Sequence, residues 1–264
     1  MKKLFILAAL LLFCVSIEAQ VFVTPTRLLF EGNKTRTNEL TLVNNSNEKA
    51  TFRISFYHTE MLEDGNIVEQ EIEKKSAPWS DRLIRFSPRQ TTLEAHGTQI
   101  IRTQLRLPEN LPSGEYRSNL KIIRIPTEQV IEKSEIAPTG IEMRITIIPA
   151  VAIPVIVRVG NLSSTETLGC VLAESKKVLE CRINREGTSS IYVNVIAKYI
   201  PLSGKGSVVG VINGLAVYVG LDHRDISLPI ILPPGVILST GKLEIVFSDN
   251  PSNKVLASTN VSIP

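Results

Sequence analysis

The side chains best suited to chemistry are scattered along this chain. Its three histidines, His58, His96 and His223, stand far apart and lack the spacing of metal ligands. His223-Arg224-Asp225 has the letters of a kinase catalytic-loop triplet. No glycine-rich loop, strand lysine or Asp-Phe-Gly accompanies it, so it reads as a charged turn. Gly204-Lys205-Gly206-Ser207 holds the Gly and Lys of a phosphate loop without the leading glycine spacing or a following helix, and reads as a hairpin tip. Ser113 and Ser203, each followed by glycine, have no base partner, which leaves a serine nucleophile unsupported. Asn33-Lys34-Thr35 and Asn260-Val261-Ser262 match glycosylation sequons, triplets common by chance. No catalytic constellation, metal set or cofactor motif results, and the chain is expected not to be an enzyme.

Cys170 and Cys181 flank Glu174-Ser175-Lys176-Lys177. Pairing Ala173 with Val178 across that turn sets the two cysteines directly opposite each other in a hairpin, close enough to bridge if the pair is not hydrogen-bonded. Two thiols with no histidine nearby are too few for a metal. In an oxidising compartment a disulfide is the expectation.

The compartment is read from the N-terminus. Lys2 and Lys3 precede an apolar run, 4–17, too short to span a bilayer as an ordinary helix, and Glu18-Ala19-Gln20 follows. This pattern predicts a secretory signal peptide over residues 1–19, cleaved after Ala19, and export of the mature chain. Leu11 three residues before Cys14 admits a lipoprotein reading, which bulky Phe13 argues against. No other apolar stretch is long enough to span a membrane.

The elements that must position these residues are strands. Of 264 residues, 43% are hydrophobic and 21% charged, a balance that excludes disorder. Aromatic residues make up only 5% while Val, Ile, Leu and Thr abound, which leans towards β-structure. The net charge of +3 comes without a basic cluster and gives no warrant for nucleic-acid binding. Alternating segments are predicted at 20–30 (broken by Pro25), 38–44, 50–58, 83–89, 91–96, 99–107 and 116–125, with an exposed acidic loop at 67–75. After a linker at Gly160-Asn161-Leu162-Ser163-Ser164, further strands are expected at 165–173, 178–184, 190–199, 208–212, 215–219, 227–232, 241–248 and 255–261. Many short strands with turn signals between them predict an all-β chain of two antiparallel sandwiches, over residues 20–159 and 160–264.

One stretch departs from that rhythm. Residues 141–159, IEMRITIIPAVAIPVIVRV, far exceed the usual length of about five or six for a strand. Ile141, Met143, Ile145 and Ile147 fall on one face, Glu142, Arg144 and Thr146 on the other. Pro149 and Pro154 cannot donate to a ladder, which marks an edge or a bulge. Two readings stand: a pair of consecutive core strands joined at Pro149, or a long apolar edge meant for another chain.

Several segments together resemble the periplasmic chaperones of chaperone–usher fimbriae and pili, the PapD-like family. They are Val23-Thr24-Pro25-Thr26-Arg27, Leu40-Thr41-Leu42-Val43-Asn44-Asn45, Ile84-Arg85-Phe86-Ser87-Pro88-Arg89, Ile101-Arg102, and a stretch running from Leu111-Pro112 through Ser113-Gly114-Glu115-Tyr116-Arg117-Ser118-Asn119-Leu120. Ala152-Ile153-Pro154-Val155-Ile156-Val157-Arg158 resembles the end of the family's last strand in the first domain. The likeness covers about residues 20–160; beyond it only the sandwich pattern agrees.

The resemblance implies two immunoglobulin-like domains set at an angle around a cleft. It also implies binding of fimbrial or pilus subunits by donor-strand complementation, with Met143, Ile145 and Ile147 filling the subunit's groove. This puts strand donation ahead of the core reading. Arg27 matches the arginine that, with a cleft lysine, anchors the subunit's C-terminal carboxylate, and Pro154 falls where that lysine usually sits. Either another cation substitutes, with Arg158 or Arg144 as candidates, or carboxylate anchoring is absent or different. Glu115 and Arg117 are read as a structural pair outside the site. An outer-membrane usher and a self-capping dimer through the exposed edge are further partners the resemblance admits, and no cofactor is implied. The alternative is a structural or adhesive envelope protein with two complete sandwiches.

Overall fold

A computed structural model describes residues 21–32, 34–70, 78–126, 148 and 150–263. The expected signal peptide (residues 1–19), Asn33 of the first sequon, Arg144, and the apolar positions Ile141, Met143, Ile145 and Ile147 lie outside the described residues.

All regular structure in the described residues is strand. The opening segment breaks at Pro25, whose bond to Thr24 is cis, into β1 (Val21–Thr24) and β2 (Leu28–Glu31), and the two halves join different sheets. β1 pairs with β3 (Thr37–Asn44), which pairs with β9 (Thr98–Leu105), which pairs with β7 (Ile84–Ser87). The facing sheet contains β2, β11 (Ala150–Val159), β10 (Gly114–Ile125), β4 (Ala50–Tyr57) and β8 (Gln90–Leu93), in that order. This is the A-B-E-D and G-F-C strand order of an immunoglobulin-like sandwich, with the first strand shared between sheets. A small hairpin, β5 (Thr59–Met61) and β6 (Ile67–Glu69), leaves its side.

The second sandwich repeats the logic. One sheet is β12 (Ser164–Leu172), β13 (Val178–Gly187) and β16 (His223–Pro229). The other is β15 (Ser207–Val217), β14 (Ile191–Pro201), β17 (Gly241–Asp249) and β18 (Val255–Ile263).

Period-2 alternation builds two separate cores. Phe30, Leu40, Phe52, Ile101, Leu120 and Val155 are fully buried in the first, and Ile183, Val193, Val195, Ile245 and Phe247 in the second. Each such side chain contributes ~1.5–3 kcal/mol by leaving water. A third, smaller cluster of Met61, Ile156, Ala216 and Tyr218 takes members from both halves of the chain.

Several expectations are corrected. Residues 67–69 of the expected acidic loop form β6, because backbone pairing to Thr59–Met61 needs no apolar face. The strands expected at 208–212 and 215–219 are one strand, β15. Its register against β14 shifts between Val193 and Val195, and Gly214 takes a φ of +70° there, so a bulge absorbs what looked like a break. His223-Arg224-Asp225 is not a turn but the start of β16, paired with Asn184, Ile183 and Arg182. Its charges are compatible with a strand because the Arg182 Nε and Nη2 donate to the two carboxylate oxygens of Asp225 at 2.7 and 2.8 Å across the ladder. β16 ends at Pro229, short of the expected 232.

The long stretch is core over its second half. Ile153, Val155 and Val157 are buried, and β11 lies between β10 and β2 from Val155 to Arg158. Cys170 and Cys181 are directly opposed, with Ala173 donating to the carbonyl of Val178 in the turn, and their sulfurs are bonded at 2.02 Å. Closing a loop of this length restricts the unfolded chain by about 3 kcal/mol in the loop-entropy account. The double variant Cys170→Ala, Cys181→Ala is expected to lose about 2–3 kcal/mol from the second sandwich. Urea unfolding checks this as a lower midpoint; an unmoved midpoint would sink it.

Candidate functional site

The residues with the most unusual surroundings gather where the two sandwiches meet. β10 and β11 are antiparallel, and their register places Glu115 opposite Arg158. The Arg158 Nε donates to Glu115 Oε2 at 3.0 Å, and its Nη2 donates to the main-chain carbonyl of Ser190 at 2.6 Å. Glu115 Oε2 also accepts the Ser190 N–H at 2.9 Å. Both main-chain groups of Ser190, just before β14, are therefore satisfied by side chains of the first sandwich. The Glu115 side chain is 1% exposed and that of Arg158 24%. A carboxylate this buried needs such partners.

Around this clamp the contact is part apolar and part cationic. The Arg117 guanidinium lies 4.0 Å from the ring centre of Tyr218 and donates to the Thr59 carbonyl at 2.8 Å. Ile156, on the face of β11 opposite its core side chains, packs with Met61 and Tyr218. Beyond it, the β5–β6 turn docks on β16. Asp225 donates its N–H to the Glu63 carbonyl at 2.8 Å, and His223 Nε2 lies 3.2 Å from the Glu63 carboxylate. The turn fits closely: a Cβ on Gly65, where φ is +84°, would fall 2.3 Å from the Arg224 guanidinium.

Arg27 differs from the other cations. It sits just before β2, at the point where the opening strand re-enters the second sheet, and its guanidinium lies 4.7 Å from the ring centre of Tyr192. Its Nε is buried without a hydrogen-bond partner. Among the described residues, no ion pair or hydrogen bond to its side chain occurs. Burial depresses its pKa first, and the positive charge of Arg158 depresses it further, against weaker opposing effects of Tyr218 and Glu115. Arg117 is likewise depressed by burial. The junction of the two sandwiches therefore holds a half-buried guanidinium whose Nε has no acceptor among the described residues, next to a second cation, a setting that favours an incoming carboxylate.

Of the residues singled out from the sequence, Arg27 and Arg158 come together here. Arg158 has its Nε and Nη2 engaged within the molecule. Cys170 and Cys181 lie elsewhere, on β12 and β13. Met143, Ile145 and Ile147 are outside the described residues. Glu115 and Arg117 do not pair: Glu115 is taken by Arg158 across the ladder and by Ser190, and Arg117 turns to Thr59 and Tyr218. Tyr192, Tyr218, Ser190 and the β5–β6 turn were not singled out, because nothing local marks a residue whose partner lies in another sandwich. Among the described residues no three metal-ligating side chains come together, and no helix is long and apolar enough to cross a membrane.

No family model matches the chain, and no curated protein does. Solved structures similar to it include the YadV chaperone, at 11% identity and a TM-score of 0.44, covering 92% of this chain and 100% of that one. Another is the CsuC–CsuE chaperone–tip subunit pre-assembly complex from archaic chaperone–usher Csu pili of Acinetobacter baumannii, at 13% and 0.46, covering 92% and 98%. The Salmonella enterica SafA pilin in complex with the SafB chaperone matches at 15% and 0.41, covering 92% and 96%. All three are chaperones or chaperone complexes, and two of them are described with pili or a pilin. At TM-scores below 0.5, the functional reading comes from this chain's own residues.

Two changes test the clamp and the docked turn. Glu115→Ala strands a partly buried Arg158 and is expected to cost about 3–5 kcal/mol, much of it recovered in Glu115→Ala with Arg158→Met. Denaturant unfolding of the single and double variants measures both. Gly65→Ala is expected to release the turn, seen as faster hydrogen exchange at the Asp225 amide with the remaining β16 amides unchanged.

Proposed function

We propose that this chain is an exported, ATP-independent periplasmic chaperone that holds small β-rich fimbrial or pilus-type subunits by lending them a strand. The observation that carries the reading is Arg27: a half-buried guanidinium whose buried Nε has no acceptor among the described residues, stacked on Tyr192 and pressed by the charge of Arg158. A chain-terminal carboxylate would relieve both the desolvation and the like-charge repulsion, and a guanidinium can hold it bidentately. No catalytic group is needed for such work.

The rest of the reading is sequence-borne. Residues 20–159 and 160–264 are its two sandwich domains, and residues 1–19 its cleaved export signal. Met143, Ile145 and Ile147 are the donated side chains, each contributing ~1.5–3 kcal/mol on burial in the client's groove. In the sequence they share parity with Ile153, Val155 and Val157, which fill the first core. Pro154 stands where the related chaperones carry a lysine. With Arg158 engaged by Glu115 and Ser190, Arg27 is left as the principal anchor.

Capture of the tagged protein from the native cell envelope, with bound chains identified by mass spectrometry, tests this. A stoichiometric small β-rich partner is expected, lost in Ile145→Asp while that variant stays folded. Arg27→Ala should weaken the complex by about ten- to a hundredfold, the worth of a charge-assisted hydrogen bond, and Arg27→Lys should restore only part. Loss of folding in Ile145→Asp, or no partner from cells that display fimbriae, would favour an envelope protein with two complete sandwiches instead.

A further inference from the structure

The far end of the second sandwich presents the most exposed large apolar side chains among the described residues. They are Leu202 at 82% exposed, Ile237 at 79% and Ile231 at 74%. All three sit on loops: Leu202 in the tip between β14 and β15, and the two isoleucines between β16 and β17. The loops are held together. Ile231 donates to the carbonyl of Val209 at 2.7 Å, Ile230 to that of Lys177 at 2.8 Å, and the Tyr199 hydroxyl to that of Ser239 at 3.1 Å. Along β14 this end lies roughly 30 Å from Tyr192, on which Arg27 stacks, at ~3.3 Å per residue.

Charge surrounds these tips with one sign predominating. Lys176, Lys177, Lys205 and Lys242 are all exposed around them, Glu174 stands beside the first two, Glu180 and Glu244 lie further along their strands, and residues 202–206 and 230–240 carry no acid. A protein interface is depleted in lysine and gathers its apolar residues into one buried patch. Separate apolar tips ringed by lysines suit a different partner, one with a soft apolar interior beneath an anionic surface. We propose that this end of the second sandwich docks on the headgroup layer of an anionic lipid bilayer, with Leu202, Ile231 and Ile237 inserted and the lysines facing lipid phosphates. The inference is independent of the chaperone reading.

Co-sedimentation of the purified protein with sucrose-loaded vesicles tests it. Vesicles with about a third phosphatidylglycerol should bind the protein at least tenfold more tightly than pure phosphatidylcholine. Two triple variants, Leu202→Ser with Ile231→Ser and Ile237→Ser, and Lys176→Glu with Lys177→Glu and Lys205→Glu, should each lose about tenfold or more. Val255→Ser, 57% exposed at the opposite end of β18, should bind as the wild type does. All seven substituted positions are exposed, and circular dichroism confirms that the three variants stay folded. Failure to bind, equal binding to both vesicles, or binding unaltered in either triple variant would overturn the proposal. So would self-association abolished by the serine triple without any vesicle binding, which would make this end a contact between copies of the chain.

Discussion

Glu115 is the group on which the arrangement of the two sandwiches depends. It is the one fully buried acid among the described residues, and its Oε2 accepts from both the Arg158 guanidinium and the Ser190 main chain. A buried carboxylate tolerates little freedom, because losing either donor leaves charge uncompensated. Ser190 leads directly into β14, so fixing its two backbone groups fixes where the second sandwich begins. The apolar cluster of Met61, Ile156, Ala216 and Tyr218 then adds burial to a position already set by charge. The ion pair supplies direction and the cluster supplies area.

That use of Glu115 has an electrostatic consequence. Arg27, Arg117 and Arg158 converge on the same region, and its one fully buried carboxylate is already committed. Arg117 is accommodated by the face of Tyr218 and a carbonyl. Arg27 has only the face of Tyr192. The excess positive charge is thus concentrated on the guanidinium with the fewest obligations, and it sits where the opening strand crosses between sheets at Pro25. Crossing between sheets places Arg27 at a strand end, free of the ladder yet held in place by Leu28 on one side.

Strand existence was legible in the sequence because alternation is written residue by residue: 38–44 and 99–107, for example, became β3 and β9 with Leu40, Leu42, Ile101 and Leu105 inward. The hairpin that opposes Cys170 and Cys181 was legible for the same reason, since its turn is local. What was not legible depended on distant partners. His223-Arg224-Asp225 reads as a turn until Arg182 and Ile183 are known to lie beside it. Residues 67–69 look like solvent-exposed loop until Thr59–Met61 pairs with them. Arg27 could be singled out, but its stacking on Tyr192 could not, and the clamp at Ser190 left no local mark at all. Such contacts belong to the relation between two sandwiches rather than to either one.

β11 shows how tightly that relation constrains the chain. One of its faces sends Ile153, Val155 and Val157 into the first core, while Ile156 on the other packs against the second sandwich. β2 pairs with it only from Val155 onward, and before that point no strand among the described residues pairs with its second edge. Pro154 stands at this boundary, opposite Asn119 of β10, and offers no N–H with which a longer ladder could continue. The positions before it, Ala150 and Ala152, carry small exposed side chains, which limits the hazard of an edge left unpaired by the described residues. A slip of one residue would turn Pro154, Ile156 and Arg158 into the core and lose both the apolar packing and the ion pair to Glu115. The register of this strand is therefore set within the molecule, and any chain that pairs with the open edge must conform to it.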